Sequence, residues 1–181
     1  MKTVVLGITG SIAAYKACEL TRLMVKAGWN VHVIMTGAAQ KFVAPLTFQT
    51  LSRNPVGLDA FALPATWEPE HVALAERADL LLIAPCTANF IAKLAHGFAD
   101  DLLASTALAT RAPLVIAPAM NDGMWDNPAT QENLDTLRRR NISIIAPSEG
   151  ELACGTCGKG RMAEPQEIFD FLIKTGLTRL T

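Results

Sequence analysis

The stretch TVVLGITGS, residues Thr3–Ser11, decides the fold of this chain. Its continuous apolar run predicts a buried β-strand over Thr3–Gly7. A glycine-containing turn follows, and the amphipathic pattern of Ser11–Ala27 predicts a helix. A strand, a glycine turn and a helix in this order form the first unit of an α/β sheet. This interpretation explains the apolar amino terminus better than a signal peptide does, because Gly7 and Gly10 interrupt the run.

Further along the chain, short apolar runs alternate with longer amphipathic segments. Strands are predicted at Asn30–Met35, Ala78–Pro85, Ala112–Pro118 and Ile142–Pro147. Helices are predicted near Ala88–Ala95, Asp101–Ala109, Pro128–Arg140 and Pro165–Lys174. The segment Asn54–Glu70 contains several prolines and is predicted to be irregular. The alternation predicts one α/β domain over residues 1–181, a doubly wound, Rossmann-like (flavodoxin-like) parallel sheet with helices on both faces.

Composition restricts the possible partners. Half of the 181 residues are apolar, which suits one domain with a full hydrophobic core. Lysine plus arginine number 16 against 17 for aspartate plus glutamate, so no nucleic acid or anionic membrane is expected as a partner. No apolar run reaches membrane-spanning length. The four cysteines are too few and too unevenly spaced for a secreted disulfide scaffold, and we therefore expect a cytoplasmic protein.

The turn Gly7–Ile12 has the features of a phosphate cradle. Its glycines allow close approach of backbone to a ligand, and the start of the helix offers free N–H groups beside the Ser11 hydroxyl. The turn is neither GxGxxG nor a Walker loop. Thr36 and Gly37, rather than an acidic residue, follow the second strand, which favours a mononucleotide over NAD. A tight turn capped by Ser11 is the alternative interpretation.

Two other strand ends carry polar side chains. Thr87 and Asn89 follow the third strand among small residues that would suit the polar edge of a flat ring; a loop capped by Thr87 is the alternative. Asn121 follows the fourth strand and would orient a substrate carboxylate through a neutral amide, which does not favour the charged ground state as a cation would. A turn asparagine is the alternative there.

The histidines and cysteines supply acid–base candidates. Among three histidines, His71 is the best general-base candidate, since His32 lies within a strand and His96 at a helix end. The glycine-rich segment Ala153–Met162 contains a CxxC pair. Zinc would need two more ligands, so no metal site is predicted, and a thioredoxin-type motif would open a helix after an early strand. A flap that carries a thiol acid, Cys154, and a structural loop with idle cysteines both remain open.

Together these segments resemble the homo-oligomeric flavin-containing cysteine decarboxylase family, from the first strand to about Pro165. The segments that carry the resemblance are Gly10–Lys16, His71–Ala75, Thr87–Asn89, Gly97–Leu102, Pro118–Trp125 and Ala153–Met162. The last two, PAMNDGMW and ACGTCGKGRM, are the most specific of them.

The resemblance implies FMN as the cofactor. The implied FMN contacts are Gly10, Ser11, Ile12, Thr36, Gly37, Ala38, Thr87, Ala88, Asn89, Phe90 and Ala119. It also implies His71 as the base and Cys154 as the acid. The implied substrate contacts are Asn121, Leu152, Ala153 and Met162.

The implied reaction is decarboxylation of 4′-phosphopantothenoylcysteine to 4′-phosphopantetheine in coenzyme A biosynthesis, by transient flavin oxidation of the cysteine side chain. The implied assembly is a homotrimer or homododecamer, with a separate or fused phosphopantothenoylcysteine synthetase as a possible partner.

The chain departs from the family pattern at a few positions. Cys86 stands where alanine or serine is usual, Phe90 replaces a common threonine, Asp101 replaces a common asparagine, and Cys157 is an extra thiol. These departures put the flavin contacts in question rather than the proposed acid and base.

Three alternatives stay open. The first is a decarboxylase of a peptide C-terminal cysteine, although such relatives generally lack the A-C-G loop. The second is a flavin prenyltransferase, which usually carries G-A-S-G in the first turn. The third is a non-catalytic flavoprotein that regulates a phosphatase. Relatives of that third kind lose catalytic residues, whereas His71, Asn121 and Cys154 are all present here.

Overall fold

The computed structural model describes residues 1–62, 68–151 and 157–176. Two sheets are formed. The strands are β1 (Thr3–Ile8), β2 (Asn30–Met35), β3 (Val56–Gly57), β4 (Leu80–Cys86), β5 (Leu114–Pro118), β6 (Ser143–Ile144), β7 (Ser148–Glu151) and β8 (Cys157–Arg161). The first six form a parallel sheet in the order β3-β2-β1-β4-β5-β6, and β7 and β8 form an antiparallel hairpin.

Helices follow the strands. The α-helices are α1 (Lys16–Lys26), α2 (Pro45–Ser52), α3 (Glu70–Arg77), α4 (Ala88–His96), α5 (Leu102–Ala109), α6 (Asp122–Trp125), α7 (Pro128–Arg139) and α8 (Pro165–Thr175), and 3₁₀ turns span Ile12–Tyr15 and Ala39–Lys41. In the part of the chain that the structure describes, no helix combines the length and apolarity needed to cross a bilayer.

The parallel sheet is buried on both faces. Along β1, Val4 and Leu6 belong to a core that includes α1, α2 and α8, while Val5 belongs to a core that includes α3, α4, α5 and α7. Successive side chains of a strand point to opposite faces, so an unbroken apolar run is what this arrangement requires. The Rossmann-like prediction with helices on both faces is therefore confirmed.

The strand order refines that prediction. The six strands have the order of a Rossmann sheet, 3-2-1-4-5-6, rather than the flavodoxin order, 2-1-3-4-5. The difference rests on the two-residue strand β3 alone, because the other five strands without it follow the flavodoxin order.

Several boundaries differ from the predictions. The predicted helix Ser11–Ala27 begins as a 3₁₀ turn and ends at Lys26, and Ala27 is exposed. The segment Asn54–Glu70, predicted to be irregular, contains β3, and Glu70 opens α3. Neither β3 nor the hairpin has a run of alternating apolar residues, and tertiary pairing alone makes them strands.

The order of the strands around β1 creates a crevice at the carboxyl end of the sheet. The chain passes from β1 to β2 on one side, and β4 lies on the other side of β1. Loops that leave β1 and β4 therefore diverge and leave a crevice at the carboxyl ends of the two strands, which is where such sheets bind ligands. The loop after β1 begins at Thr9, and the loop after β4 begins at Thr87.

Candidate active site

A cleft of about 510 Å³ opens at this switch point. All the FMN contacts that the resemblance implies line it except Ile12, namely Gly10, Ser11, Thr36, Gly37, Ala38, Thr87, Ala88, Asn89, Phe90 and Ala119. They come from the loops after β1, β2, β4 and β5 and from the first turn of α4. Ile12 does not line the cleft, and its side chain is 55% exposed.

The loops after β1 and β2 meet at a glycine. A Cβ atom built on Gly10 would lie 2.4 Å from the Cβ of Ala38, so no larger residue fits without a shift of one loop. Beside it, the Ser11 hydroxyl accepts a hydrogen bond from the N–H of Ala13 at 3.2 Å and caps the 3₁₀ turn that leads into α1. Ser11 therefore caps this turn and also lines the cleft. The first N–H groups of the helix lie beside the crevice for the same reason.

Thr9 joins the loops after β1 and β4, and the sequence analysis missed it. Its hydroxyl donates to the carbonyl of Pro85 at 2.8 Å and accepts from the N–H of Thr87 at 3.0 Å. The residue is almost completely buried and also lines the cleft. Only the adjacency of β1 and β4 reveals this role, since the partners lie more than 70 residues away in sequence.

The start of α4 forms a second wall. The Thr87 hydroxyl accepts from the N–H of Phe90 at 3.3 Å and caps the helix, as the alternative interpretation stated, and Thr87 nevertheless lines the cleft. Cys86, one of the departures from the family pattern, is fully buried in the core and does not line the cleft. Burial raises the pKa of its thiol well above the ordinary value, so this thiol stays protonated.

A charged cluster of Lys93, Asp100 and Asp101 lies at one side of the cleft, and Lys93 and Asp101 line it. The Lys93 ammonium lies 2.7 Å from Oδ1 of Asp100 and 2.7 Å from Oδ2 of Asp101. Burial lowers the pKa of Lys93, but the hydrogen bonds to the two carboxylates outweigh burial and raise it. The hydrogen bond from Lys93 lowers the pKa of Asp100. Lys93 was not predicted as a site residue, whereas Asp101 was noted only as a departure from the family pattern.

Asn121 itself does not line the cleft, although it lies between residues that do. It precedes α6, and its side-chain oxygen accepts from the N–H of Gly123 at 2.9 Å. Its neighbours Met120 and Met124 line the cleft. The turn role that the alternative interpretation stated is therefore present, and the substrate role of Asn121 stays a prediction.

The hairpin packs against this Asn121 segment. The N–H of Met120 donates to the carbonyl of Gly160 at 2.9 Å. A Cβ atom built on Gly160 would lie 2.3 Å from the Met120 carbonyl oxygen, and one built on Gly158 would lie 2.7 Å from the Cβ of Asp122. The glycines of β8 therefore allow its backbone to touch the segment that carries Asn121.

The remaining predicted residues lie elsewhere. His71 is half-buried on the first turn of α3 and does not line the cleft of its own chain. The Met162 side chain is 1% exposed and packs in the core rather than in the cleft. Leu152, Ala153 and Cys154 lie outside the described residues. Within one chain, the structure thus gathers the implied cofactor contacts but not the implied base.

The fold and the cleft define an α/β protein of the nucleotide-binding class. A family model described as Flavoprotein matches residues 1–176, and the chain therefore belongs to that family. This family match and the relatives described next confirm the flavoprotein resemblance that the motifs carry.

Two curated relatives illustrate the match. The chain is 52% identical over 167 residues to the coenzyme A biosynthesis bifunctional protein CoaBC of Bacillus subtilis, covering 92% of this chain and 41% of the relative. It is 46% identical to a probable phosphopantothenoylcysteine decarboxylase of Streptococcus mutans, covering 92% of this chain and 94% of the relative. The chain thus spans less than half the length of the bifunctional relatives.

Solved structures agree. A phosphopantothenoylcysteine (PPC) decarboxylase cysteine-to-serine mutant, complexed with pantothenoylaminoethenethiol, superposes with a TM-score of 0.88 at 32% identity, covering 97% of this chain and 98% of that chain. The FMN-dependent cysteine decarboxylase SpaF superposes with a TM-score of 0.84, also at 32% identity, covering 97% and 98% of the two chains.

Proposed function

We propose that this chain binds FMN and decarboxylates 4′-phosphopantothenoylcysteine to 4′-phosphopantetheine in coenzyme A biosynthesis. One observation carries the proposal. The residues that the family resemblance assigns to FMN, all except Ile12, line a single cleft at the switch point, although they come from the loops after four strands and the first turn of α4. Similarity to a probable phosphopantothenoylcysteine decarboxylase over 94% of that relative supports the choice of substrate.

The cleft fits FMN. Its volume of about 510 Å³ falls within the usual range for cofactor sites, and small or neutral side chains line most of it. The contact between Gly10 and Ala38 keeps side chains out of the crevice beside the helix start, where free N–H groups favour a phosphate. Gly10, Ser11 and Thr36 to Ala38 would hold the phosphate end, and Thr87 to Phe90 with Ala119 would contact the ring.

Bound FMN would supply a reversible two-electron acceptor that turns the cysteine side chain into an electron sink for loss of CO₂. The chain's own side chains would bind the substrate and move its protons. Asn121 would hold the substrate carboxylate through its amide, which leaves the carboxylate free to lose its charge. His71 would remove the thiol proton, and Cys154 would return a proton to the product. An ordinary thiol is mostly protonated at neutral pH, as this role requires.

We also infer a homo-oligomer, a homotrimer or homododecamer, as the active form. His71 lies outside the cleft of its own chain, so a second copy is needed if it acts as the base. Ile12 and Tyr15, beside the Gly10 turn, are more than half exposed, and Leu46 on α2 is 69% exposed. Apolar side chains of this size on the elements around a site are typical of an interface. Sedimentation of the purified chain as a single monomeric species would contradict this inference.

A synthetase for the same substrate is the expected partner, either fused or separate, since the bifunctional relatives are more than twice as long as the matched region. We place the reaction in the cytoplasm on the basis of cysteine usage. Nucleic acid and membranes are not expected partners, given the formal net charge of −1.

Decarboxylation of a peptide C-terminal cysteine is the second candidate, which the resemblance to the cysteine decarboxylase family leaves open. The A-C-G sequence at Ala153–Gly155 favours the coenzyme A reaction, because return of a proton by Cys154 completes the reduction of the product. A non-catalytic flavoprotein is the third candidate and would bind FMN without turnover. Mass spectrometry with 4′-phosphopantothenoylcysteine and with a peptide ending in cysteine separates the three.

The test uses the purified chain with FMN. The wild type should show a bound-flavin spectrum and convert 4′-phosphopantothenoylcysteine to 4′-phosphopantetheine. Cys154→Ser should release CO₂ and stop at the enethiol, while Cys18→Ser on α1 should behave as wild type because Cys18 lies outside the cleft. His71→Asn should keep the flavin and lose turnover. Reduced product from Cys154→Ser would refute the acid role, and failure to take up FMN would refute the whole proposal.

A further inference from the structure

The cluster of Lys93, Asp100 and Asp101 has no part in the proposed reaction, yet two of its members line the cleft. Lys93 lies on α4, within the same helix as the Thr87–Phe90 wall, and the two aspartates precede α5. The side chain of Lys93 is 19% exposed and that of Asp101 is 29% exposed. Solvent therefore screens these charges less than it screens an ion pair on the open surface.

Asp101 uses its two oxygens for different partners. Oδ1 accepts from the N–H of Ala104 at 2.8 Å and caps α5, while Oδ2 binds Lys93 at 2.7 Å. An asparagine would cap the helix equally well. The cap therefore does not explain why this residue is negatively charged. The ion pair with Lys93 is the contact that involves the charge.

The hydrogen bond between Lys93 and Asp100 raises the pKa of the lysine and lowers the pKa of the aspartate, and it therefore favours the charged form of both groups. One ammonium and two carboxylates leave the cluster with a net charge of −1. We propose that this cluster tunes the reduction potential of the bound flavin, with Lys93 raising the potential and Asp100 and Asp101 lowering it. The inference rests on the proposed binding of FMN in the cleft.

The physical argument is electrostatic. Reduction adds negative charge to a flavin, so a net negative cluster in the wall of its cleft disfavours the reduced form. Bound FMN would first accept electrons from the substrate and would later return them to the product. A lower potential slows the first transfer and speeds the second, and the negative charge of Asp101 shifts this balance toward return of the electrons.

The test measures the midpoint potential of FMN bound to the purified protein, by equilibration with a reference dye. Asp101→Asn removes one negative charge, keeps the cap, and should shift the potential to a more positive value. At a fixed potential the ratio of oxidised to reduced flavin should fall roughly tenfold. Asp100→Asn should also shift the midpoint potential to a more positive value, but by less, because Asp100 is 60% exposed. Lys93→Met should shift it in the opposite direction.

The pair Asp135 and Arg138 on α7 provides matched controls. Nη1 of Arg138 lies 2.6 Å from Oδ1 of Asp135, and neither residue lines the cleft. Asp135→Asn and Arg138→Met repeat the charge changes and should leave the potential unmoved. A purely structural role for the cluster would move the potential in the same direction in Asp101→Asn and Lys93→Met, or not at all, and either result overturns the inference. A chain that takes up no FMN overturns the proposed function with it, whereas FMN uptake with unmoved potentials overturns the inference alone.

Discussion

The cradle formed by the loops after β1 and β4 and the hairpin of β7 and β8 serve the same proposed site but are held in different ways. The cradle grows directly from two central strands, and Thr9 bonds one loop to the other through the buried Pro85 carbonyl and the Thr87 N–H. The hairpin packs on the Asn121 segment through Gly160. Directly after the hairpin, Lys16 of α1 donates to the Met162 carbonyl at 3.4 Å and pairs with Glu164 at the start of α8.

This difference separates two functions. A cradle that belongs to the main sheet is as stable as the core, so changes there should alter cofactor binding together with stability. The two strands of the hairpin precede and follow Cys154 in the sequence, so changes in the hairpin should alter turnover while cofactor binding persists. The following four substitutions test this separation.

Gly10→Ala should have the largest effect. The new Cβ would lie 2.4 Å from the Cβ of Ala38, and one of the two loops must shift away from the proposed phosphate site. We expect roughly a hundredfold loss of FMN affinity, measured by fluorescence titration. Adding Ala38→Gly removes the nearest clashing atom and should restore most of the affinity. Unchanged FMN affinity in Gly10→Ala would show that the contact does not shape the site.

Gly160→Ala should act on the other region. Gly160 has φ of 140°, and its new Cβ would lie 2.3 Å from the Met120 carbonyl oxygen. Strained backbone costs about 1–3 kcal/mol, and the hairpin should move off the Asn121 segment. We expect turnover to fall roughly tenfold or more while FMN stays bound. The matched control is Gly150→Ala on β7, which has φ of 159° and would meet only the Arg161 side chain, at 3.5 Å.

Thr9→Val should have an intermediate effect on stability. The change keeps the shape of a nearly buried side chain and removes the partner of the Thr87 N–H. An unpartnered buried group costs about 1–3 kcal/mol in the free energy of unfolding, measured by denaturant titration of the protein without added FMN. Thr21→Val in α1 is the matched control, because the Thr21 hydroxyl donates only to the Ala17 carbonyl of its own helix. Equal losses of unfolding free energy in Thr9→Val and Thr21→Val would contradict the conclusion that Thr9 joins the loops after β1 and β4.

Glu164→Gln should have the smallest effect, and that effect should depend on pH. Hydrogen bonding from Lys16, aided by Arg161, lowers the pKa of Glu164 below its ordinary value of 4.5, although burial opposes the shift. The carboxylate therefore stabilises the fold above the unfolded pKa, and this contribution is lost as pH falls through the lower folded pKa. Because Glu164 is itself half-exposed, we expect a loss of about 1 kcal/mol at neutral pH.

The difference in unfolding free energy between wild type and Glu164→Gln should then shrink as pH falls through the lowered folded pKa, because the wild-type carboxyl also becomes protonated. Glu19→Gln, an exposed substitution on α1, should produce no such pH dependence. A difference that stays constant from neutral to acidic pH would exclude the ion pair as its cause.

Much of the cradle was predictable because its determinants are local. A glycine turn between a buried strand and a helix shows in consecutive residues, as does a threonine cap before α4. Thr9 gave no such signal, since its partners follow another strand. The hairpin was predicted only as a glycine-rich flap, and its packing on Met120 depends on residues about 40 positions apart.

By itself the sequence determined the parallel α/β class, the strand ends that carry polar side chains, and the family to which the chain belongs. Only the tertiary structure decided that Gly10 touches Ala38, that Lys93 and Asp101 face the cleft, and that His71 does not. Periodicity and capping act between neighbours along the chain and can be seen in its order of residues. Contacts between loops depend on which strands become adjacent in the sheet, and that adjacency arises only when the whole core packs.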